Sequence, residues 1–575
     1  MAETLLSPGV LARENDQSFV SQIPAPVGAA IIGPTVKGQV NVPTIVTSYS
    51  DYLLKFGDTF DSGSDQYSYF TSISAYNYFL NGGNSLLVTR VASGSFTSAT
   101  SSFVSSSLAP VNGSSFVLET ISQGINQNST GPLNSDGTLD SGSANNIRWE
   151  IVSPNTSSGT FSLLVRRGDD STNVKTVLET WTNLSLDPFS TNYISKVIGD
   201  YSNTLTLDSS TGNYYIQQSG SFPNMSNYIR VKSVGFKTPN FYSNSGTAKS
   251  IYTASIPLAS SGSFGSATGF LAVGTANYYE NINNSNTQGL VAGNYTTAIN
   301  ILANQDDYQY NVITVPGLAY TNANHQSTIN SLINTIETRG DAIVVIDTNN
   351  YGANVLNPTT IANGIDSSYA ATYWPWIQTN DPGTGNTVWV PASTMIPSVY
   401  IANDNQSEPW FAPAGVNRGG LTRAIRAERK LSNSDRDTLY QNKINPIATF
   451  PGSGVTVFGQ KTLQTRASAL DRVNVRRLLI SLKYYISQIG KTLIFEQNTI
   501  ATRNSFLSQV NPYLESVQQR QGLYAFKVVM DDSNNTPDAI DRNQLIGAIY
   551  LQPTKTAEFV YLNFNILPTG VEFPV

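Results

Sequence analysis

The sequence predicts an α/β and α+β multidomain protein: a discontinuous α/β core, interrupted by β-rich insertion, with extended arms at both termini. Three observations predict it. Strand-like apolar runs and helical repeats fill residues 21–92 and return over 301–440. Between them, residues 93–300 hold only 20 charged side chains and a series of short β runs set in Ser, Thr, Asn, Gly and Tyr. A basic amphipathic helix, 466–489, dominates the remaining portion, 441–575. At 575 residues the chain exceeds what one core can organise. A hydrophobic fraction of 40% supplies real cores, while 13% charge suits β-rich, particle-forming proteins better than cytosolic enzymes. The absence of Cys excludes disulfides and thiolate metal sites. No run of about 18 apolar residues and no basic-then-apolar leader occurs, so neither a membrane span nor a secretory signal is expected.

In chain order, residues 1–20 are polar and lack helical periodicity, so they read as an arm that orders only against something else. Val27–Ile32 is a buried-strand run closed by Gly33-Pro34 and a Lys37-Gly38 turn. Thr44–Thr47 is a second run, and Ser50 caps a short helix over Asp51–Phe56 that Gly57 ends. Tyr69, Ile73, Tyr76 and Leu80 fall at i, i+4, i+7 and i+11, a helix stopped by Asn81-Gly82-Gly83 before the strand Leu86–Val91. In 93–300, strands are expected at Phe116–Ile121, Arg148–Val152, Phe161–Val165 and Ile229–Val234. Val312–Val315, the repeat Ile329, Leu332, Ile333, Ile336, and Ala342–Ile346 form a βαβ unit and require a parallel sheet. Ala370–Ile377, Val388–Pro391 and Ile396–Ala402 continue that domain. The end of the chain is strand-rich over Tyr524–Val529, Gln544–Leu551 and Glu558–Leu567, and its Tyr/Phe-rich terminus, 556–575, is a candidate for pairing with another chain.

The basic helix carries an apolar stripe of Val475, Leu478, Leu479, Leu482, Ile486 and Ile489. Beside it Arg472, Arg476 and Lys483 nearly eclipse one another, which reads as a rail for an acidic partner. Residues 418–491 hold 14 Lys or Arg against four acids, so the remainder of a chain of net charge −6 stands at −16. Unlike faces are therefore available to meet, between copies or with a partner.

Catalytic signals are weak. His325 is the single histidine, expected at a surface or cap position where its helix starts. Asp347 ends a parallel strand, where α/β enzymes place chemistry, but no second convergent group accompanies it. Gly490-Lys491-Thr492 imitates a phosphate loop without the preceding glycine, the position being Tyr485. Asp531, Ser533 and Asn535 imitate a calcium loop with Thr536 where glycine is required.

Several segments carry a family resemblance: Ser7-Pro8-Gly9-Val10 with Glu14, Gly33-Pro34, Lys37-Gly38, Val42-Pro43, Tyr52 and Phe56-Gly57. Phe79-Leu80-Asn81-Gly82-Gly83 and Val88-Thr89-Arg90-Val91 belong with them, as do Trp410 to Gly415, Arg418-Gly419, Asn445-Pro446-Ile447, Phe458-Gly459 and Lys461-Thr462-Leu463. Arg472-Val473-Asn474-Val475-Arg476-Arg477-Leu478 is the most specific. Together they resemble the tail sheath subunit of contractile-tailed, myovirus-type bacteriophages, over roughly 1–92 and 305–575. The resemblance implies a structural protein with no catalytic residue, cofactor or metal, in the virion tail after assembly in the host cytoplasm. It implies stacked hexameric rings of this chain around a tail tube protein, with baseplate and tail terminator proteins at the ends, no nucleic acid and no membrane anchoring. Contraction of those rings would drive the tube through the host envelope and eject the genome. Arg472, Arg476 and Lys483 would then face the tube, and 93–300 would face outward. The arms would add strands to neighbours through Pro8, Gly9 and Val10 at one end and Tyr561, Phe564, Val571 and Phe573 at the other. Two other readings stand beside it: a carbohydrate-binding or carbohydrate-degrading phage tail or surface protein working through 93–300, and a DNA site in the basic block. The second conflicts with an acidic chain whose cations are coupled to a core stripe.

Overall fold

The computed structural model describes residues 28–62, 65–101, 115–253, 255–269, 279–559 and 561. The described chain divides into two compact units, one over residues 28–480 and one containing residues 481–559.

The larger unit is built on an eight-stranded sheet. Its strands are β1 (Ala29–Gly33), β2 (Thr44–Val46), β3 (Leu86–Arg90), β4 (Val312–Ala319), β5 (Ile343–Asp347), β6 (Ala370–Trp374), β7 (Asn445–Phe450) and β8 (Gly454–Val457), in the order β2-β3-β1-β4-β5-β6-β7-β8. From β3 to β7 every pairing is parallel, and β2 and β8 close the edges antiparallel. Every residue of β1, β3, β4, β5 and β6 is buried, which is why these strands read as continuous apolar runs. Helices cover both faces. α1 (Tyr49–Phe56), α2 (Phe70–Leu80) and α4 (Ala392–Gln406) pack on the face of Ile31, Val88, Val345 and Tyr373. α3 (Ala323–Arg339) packs on the face of Ile32, Ile313, Val344 and Trp374. The cap of α1 is Ser48, whose Oγ accepts from Asp51 N at 3.0 Å, two residues before the serine expected from sequence. Residues 396–402 lie in α4.

After β1 the chain crosses to β3 on one side and later to β4 on the other, so the winding reverses between β1 and β4. Between those crossings lies the insertion, an antiparallel seven-stranded sheet. Its strands, in spatial order, are Val177–Ser185, Thr160–Arg167, Ile147–Asn155, Ser260–Gly265, Ser98–Ser101, Phe116–Gln123 and Ile229–Val234. It has its own core, with Phe116 and Phe161 stacked at a centroid separation of 5.4 Å beside Trp149, Leu163 and Phe264. Leu290, Ala292, Tyr295 and Ile299 already belong to the α/β core, so the body resumes some ten residues before the expected boundary at 301. The boundary expected at 440 also moves. β7 and β8 complete the central sheet, and the compact unit runs on to Ile480.

In the smaller unit, α6 (Ile500–Gln519) buries Phe506, Val510, Leu514 and Val517. It accompanies an antiparallel pair, β9 (Leu523–Val529) and β10 (Ala548–Pro553). The basic helix is α5 (Val473–Lys491), beginning seven residues after the expected start; Arg466 to Ser468 bend, Ala469–Asp471 form a short 3-10 turn and Arg472 bridges to Lys461. Pro8, Gly9, Val10, Phe564, Val571 and Phe573 lie outside the described residues; Tyr561 is described and 88% exposed.

Candidate functional site

The expected cationic rail changes character in three dimensions. Val473–Ile480 is buried on nearly every side, Leu479 alone being half-buried, because this half of α5 is inserted in the core and does not lie across it. Arg476 is accordingly only 4% exposed, with its guanidinium 3.9 Å from the centroid of Tyr369 and its Nε donating to Ser368 O at 3.2 Å. Arg472 is half-buried and pairs with Asp471 at 3.0 Å. Lys483 is exposed. A helical wheel places the three together but assumes one buried face, and the first two turns have more than one.

Sequence reasoning missed the cation that this helix depends on. Arg477, 4% exposed, donates to Asp404 on α4 at 2.5 Å and stands 4.6 Å over Tyr400. Tyr400 shares a 2.7 Å hydroxyl–hydroxyl bond with Tyr373 of β6. Burial works against the charge on Arg477, and Asp404, with Tyr400 and Tyr373, more than restores it. One buried pair thus joins α5, α4 and the sheet.

Much of the rest of the basic block is used in the same way. Arg418 stands over Phe411, Arg423 over Tyr76, Arg426 over Trp389, Arg436 over Phe450 and Lys461 over Tyr440, at 4.4 to 5.7 Å. Cations over ring faces are attracted by the ring quadrupole. The positive charge read from sequence as a partner surface is therefore partly committed within the chain. Arg423 and Arg426 stay exposed while they stand over their rings, and Arg429 and Lys430 are exposed as well.

In doubly wound sheets ligands bind outside the carboxyl ends of the strands where the winding reverses. Here that position, between β1 and β4, is filled by the chain itself. Gln288, 2% exposed, accepts from Phe70 N at the start of α2 (2.9 Å) and donates to Pro316 O on β4 (3.1 Å). Thr287 Oγ1 donates to Gly317 O at 2.7 Å. A Cβ on Gly317 would lie 2.6 Å from Gln288 Nε2, and its φ of +99° suits glycine alone, so the backbone is shaped around this amide. A helix N-terminus that could receive an anion is capped from within.

His325 is fully buried in the first turn of α3, not at the surface. Its Nδ1 accepts from Ala319 N at 3.1 Å, and burial pulls its pKa down to about 4, so it is neutral. Asp347 at the end of β5 accepts from Ser393 N (3.0 Å) and Ser393 Oγ (2.5 Å), serving as a remote cap for α4, whose own N-cap is Pro391. Burial pushes its pKa up to about 7 despite those bonds. The folded-state value lies above the ordinary carboxylate value near 4. Its stabilising contribution is therefore complete below about pH 4 and is lost as pH rises through 7. Asp347→Asn, which keeps an acceptor and cannot ionise, is expected to gain about 2–4 kcal/mol relative to the parent between pH 5 and pH 8 in denaturant titrations. An unchanged difference would assign Asp347 an ordinary ionised state.

The remaining motifs dissolve into local structure. Gly490 and Lys491 end α5 with no strand before them. In the Asp531 turn, Oδ1 accepts from Ser533 N at 2.8 Å and Asn535 is buried, donating to Ile546 O. In the insertion, Arg166 is saturated by Asp170 and Glu150. Among the described residues no cluster of three or more His, Cys, Asp or Glu side chains could hold a metal, and no helix is long and apolar enough to cross a membrane.

Residues 289–463 match the phage tail sheath protein central domain, and 465–567 match the phage tail sheath C-terminal domain. Across these residues, just under half of the chain, it matches the phage tail sheath family. A tail sheath protein of Vibrio phage KVP40 is 39% identical over 218 residues, 38% of this chain and 31% of that protein. The tail sheath protein of Enterobacteria phage T4 is 38% identical over 185 residues, 32% of this chain and 28% of that one. The matched region thus spans under a third of either relative. A crystal structure of the sheath tail protein from Listeria innocua is 11% identical with a TM-score of 0.51, covering 88% of this chain and 89% of that chain, and shares the fold. The sheath domain matches begin at Gly289, immediately after the Gln288 plug, and run through α5, so the family's central domain takes up the body where the insertion leaves off.

Proposed function

We propose that this chain is the structural, force-generating subunit of a contractile phage tail. Copies stack as hexameric rings around a tail tube, with baseplate and tail terminator proteins at the ends, and contraction drives the tube through the host envelope. The single observation that carries this reading is the pair of sheath domain matches over 289–567, on a body whose α/β ligand crevice is filled by its own Gln288. The work of contraction comes from exchanging one set of subunit contacts for another, a bistable packing that needs no nucleotide.

Strand addition by the terminal arms is the linkage this reading requires. Its support is the pair β9–β10, a two-stranded sheet whose outer edges have no further strand among the described residues, with Tyr524 61% and Tyr550 62% exposed. Two strands alone are marginal, and open edges accept further strands. Lys483 is the exposed member of the expected tube-facing set. Purified full-length chain is expected to form long hollow tubes in negative-stain electron micrographs. Isolated compact particles at every concentration would overturn the reading.

A further inference from the structure

β3 ends on Arg90, where the chain leaves the central sheet for the insertion. Arg90 is 2% exposed, and its Nη1 donates to Gly38 O in the body at 2.6 Å and to Gln123 O in the insertion at 2.8 Å. The rest of the guanidinium is unused. Nε has no hydrogen-bond partner, and Nη2 donates to no described residue. No Asp or Glu among the described residues pairs with Arg90; the side chains that act on its charge are the phenols of Tyr69 and Tyr52. Burial pulls its pKa down to about 10, which leaves it a cation at neutral pH. Arg90 lines a cavity of about 10 Å³ together with Tyr69, Phe60, Phe96 and Asn126. Tyr69 is 4% exposed, and its hydroxyl bonds to no described residue. The Phe96 ring, with its centroid 5.2 Å from the guanidinium, is packed against two glycines. A Cβ would lie 3.0 Å from its carbons if built on Gly124 and 2.5 Å if built on Gly269, so neither position admits a side chain without moving this wall.

We propose that this cavity binds one monatomic anion, chloride in ordinary media, held by Arg90 and the Tyr69 hydroxyl at the seam between body and insertion. A buried charge without a counter-charge is costly, and so is a buried donor without an acceptor. A water would satisfy the donors and leave the guanidinium uncompensated, whereas a halide does both, through charge-assisted hydrogen bonds. The volume has room for a single water-sized occupant, which excludes phosphate, sulfate and a carboxylate on its side-chain stem. The bound ion completes the shell of a guanidinium that already bridges the two parts of the chain, and so stabilises that seam.

The test uses the full-length chain at constant ionic strength, with gluconate, too large for the cavity, as the replacement anion. Exchanging gluconate for about 200 mM chloride is expected to raise the thermal midpoint by about 2 °C or more, with bromide substituting for chloride. The NMR line of free chloride is expected to broaden on addition of the protein and to narrow again on addition of bromide. Arg90→Met should lose both effects, and Tyr69→Phe, which keeps the ring, should weaken chloride binding several-fold. Lys483→Glu, at an exposed cation, should leave both effects in place. No chloride-dependent rise in the parent chain, the result if a water fills the cavity, would overturn the proposal, as would the same rise in Arg90→Met. Should Arg90→Met fail to fold, Tyr69→Phe decides, and an unchanged chloride dependence there overturns it equally. Because these readouts are made on subunits, they are independent of whether tubes form.

Discussion

Arg477→Ala is expected to destabilise the subunit by about 3–5 kcal/mol, the cost of leaving one member of a buried ion pair without its partner. Removal of the guanidinium strands Asp404, whose side chain is 16% exposed, and withdraws the cation from over Tyr400. Urea denaturation of the purified chain measures it, and a loss below 1 kcal/mol would show that water reaches Asp404 and replaces Arg477. The double variant Arg477→Met with Asp404→Leu is expected to recover much of the loss, because apolar side chains of similar volume remove both charges together. This bears on how the basic helix is probed. Charge reversal at Arg476, held 3.9 Å from Tyr369, attacks the fold before it attacks any docking surface. Lys483→Glu changes an exposed charge and is the cleaner probe.

Deletion of residues 1–17, or of 560–575, is expected to abolish tubes in electron micrographs while the subunit still melts cooperatively at its usual temperature. The central sheet begins at Ala29, and β9–β10 ends at Pro553, so neither deletion removes a described element of secondary structure. Added strands hold through backbone hydrogen bonds, which tolerate rotation of the bodies they join. Normal tubes from either truncated chain would refute the linkage.

How much of this was legible in the sequence follows from burial. β1, β3, β4 and β5 are apolar on both faces, and α3 repeats at i, i+3, i+4, i+7, so each announced its own geometry. α4 did not. Ten of its 15 residues are buried around the whole circumference and Pro397 lies inside it, leaving neither periodicity nor an uninterrupted helical composition. α6 was hidden likewise by Pro512. In the insertion, Ile229–Val234 matches its expected bounds residue for residue, whereas Val177–Ser185, a half-exposed edge strand that mixes Glu, Thr and Asn with Val, Leu and Trp, gives no alternating signal. The candidate site was legible as a composition, a basic block, but not as an arrangement. That Arg477 would find Asp404, or Gln288 would reach Phe70, is a matter of contacts between distant segments that no local pattern encodes.

The strand order has a consequence for the insertion. β3, from which it departs, and β4, which follows its return, both flank β1, so they stand two strand spacings apart, about 10 Å. Arg90 at the end of β3 and Gln288 beside β4 both sit at the carboxyl edge of the sheet. A graft of almost any length can bridge so short a gap without disturbing the parallel ladder, since closing a longer loop costs little more than closing a shorter one. The inserted module is therefore an exchangeable cassette: evolution, or an engineer, could replace it wholesale while the sheet beneath keeps its gauge.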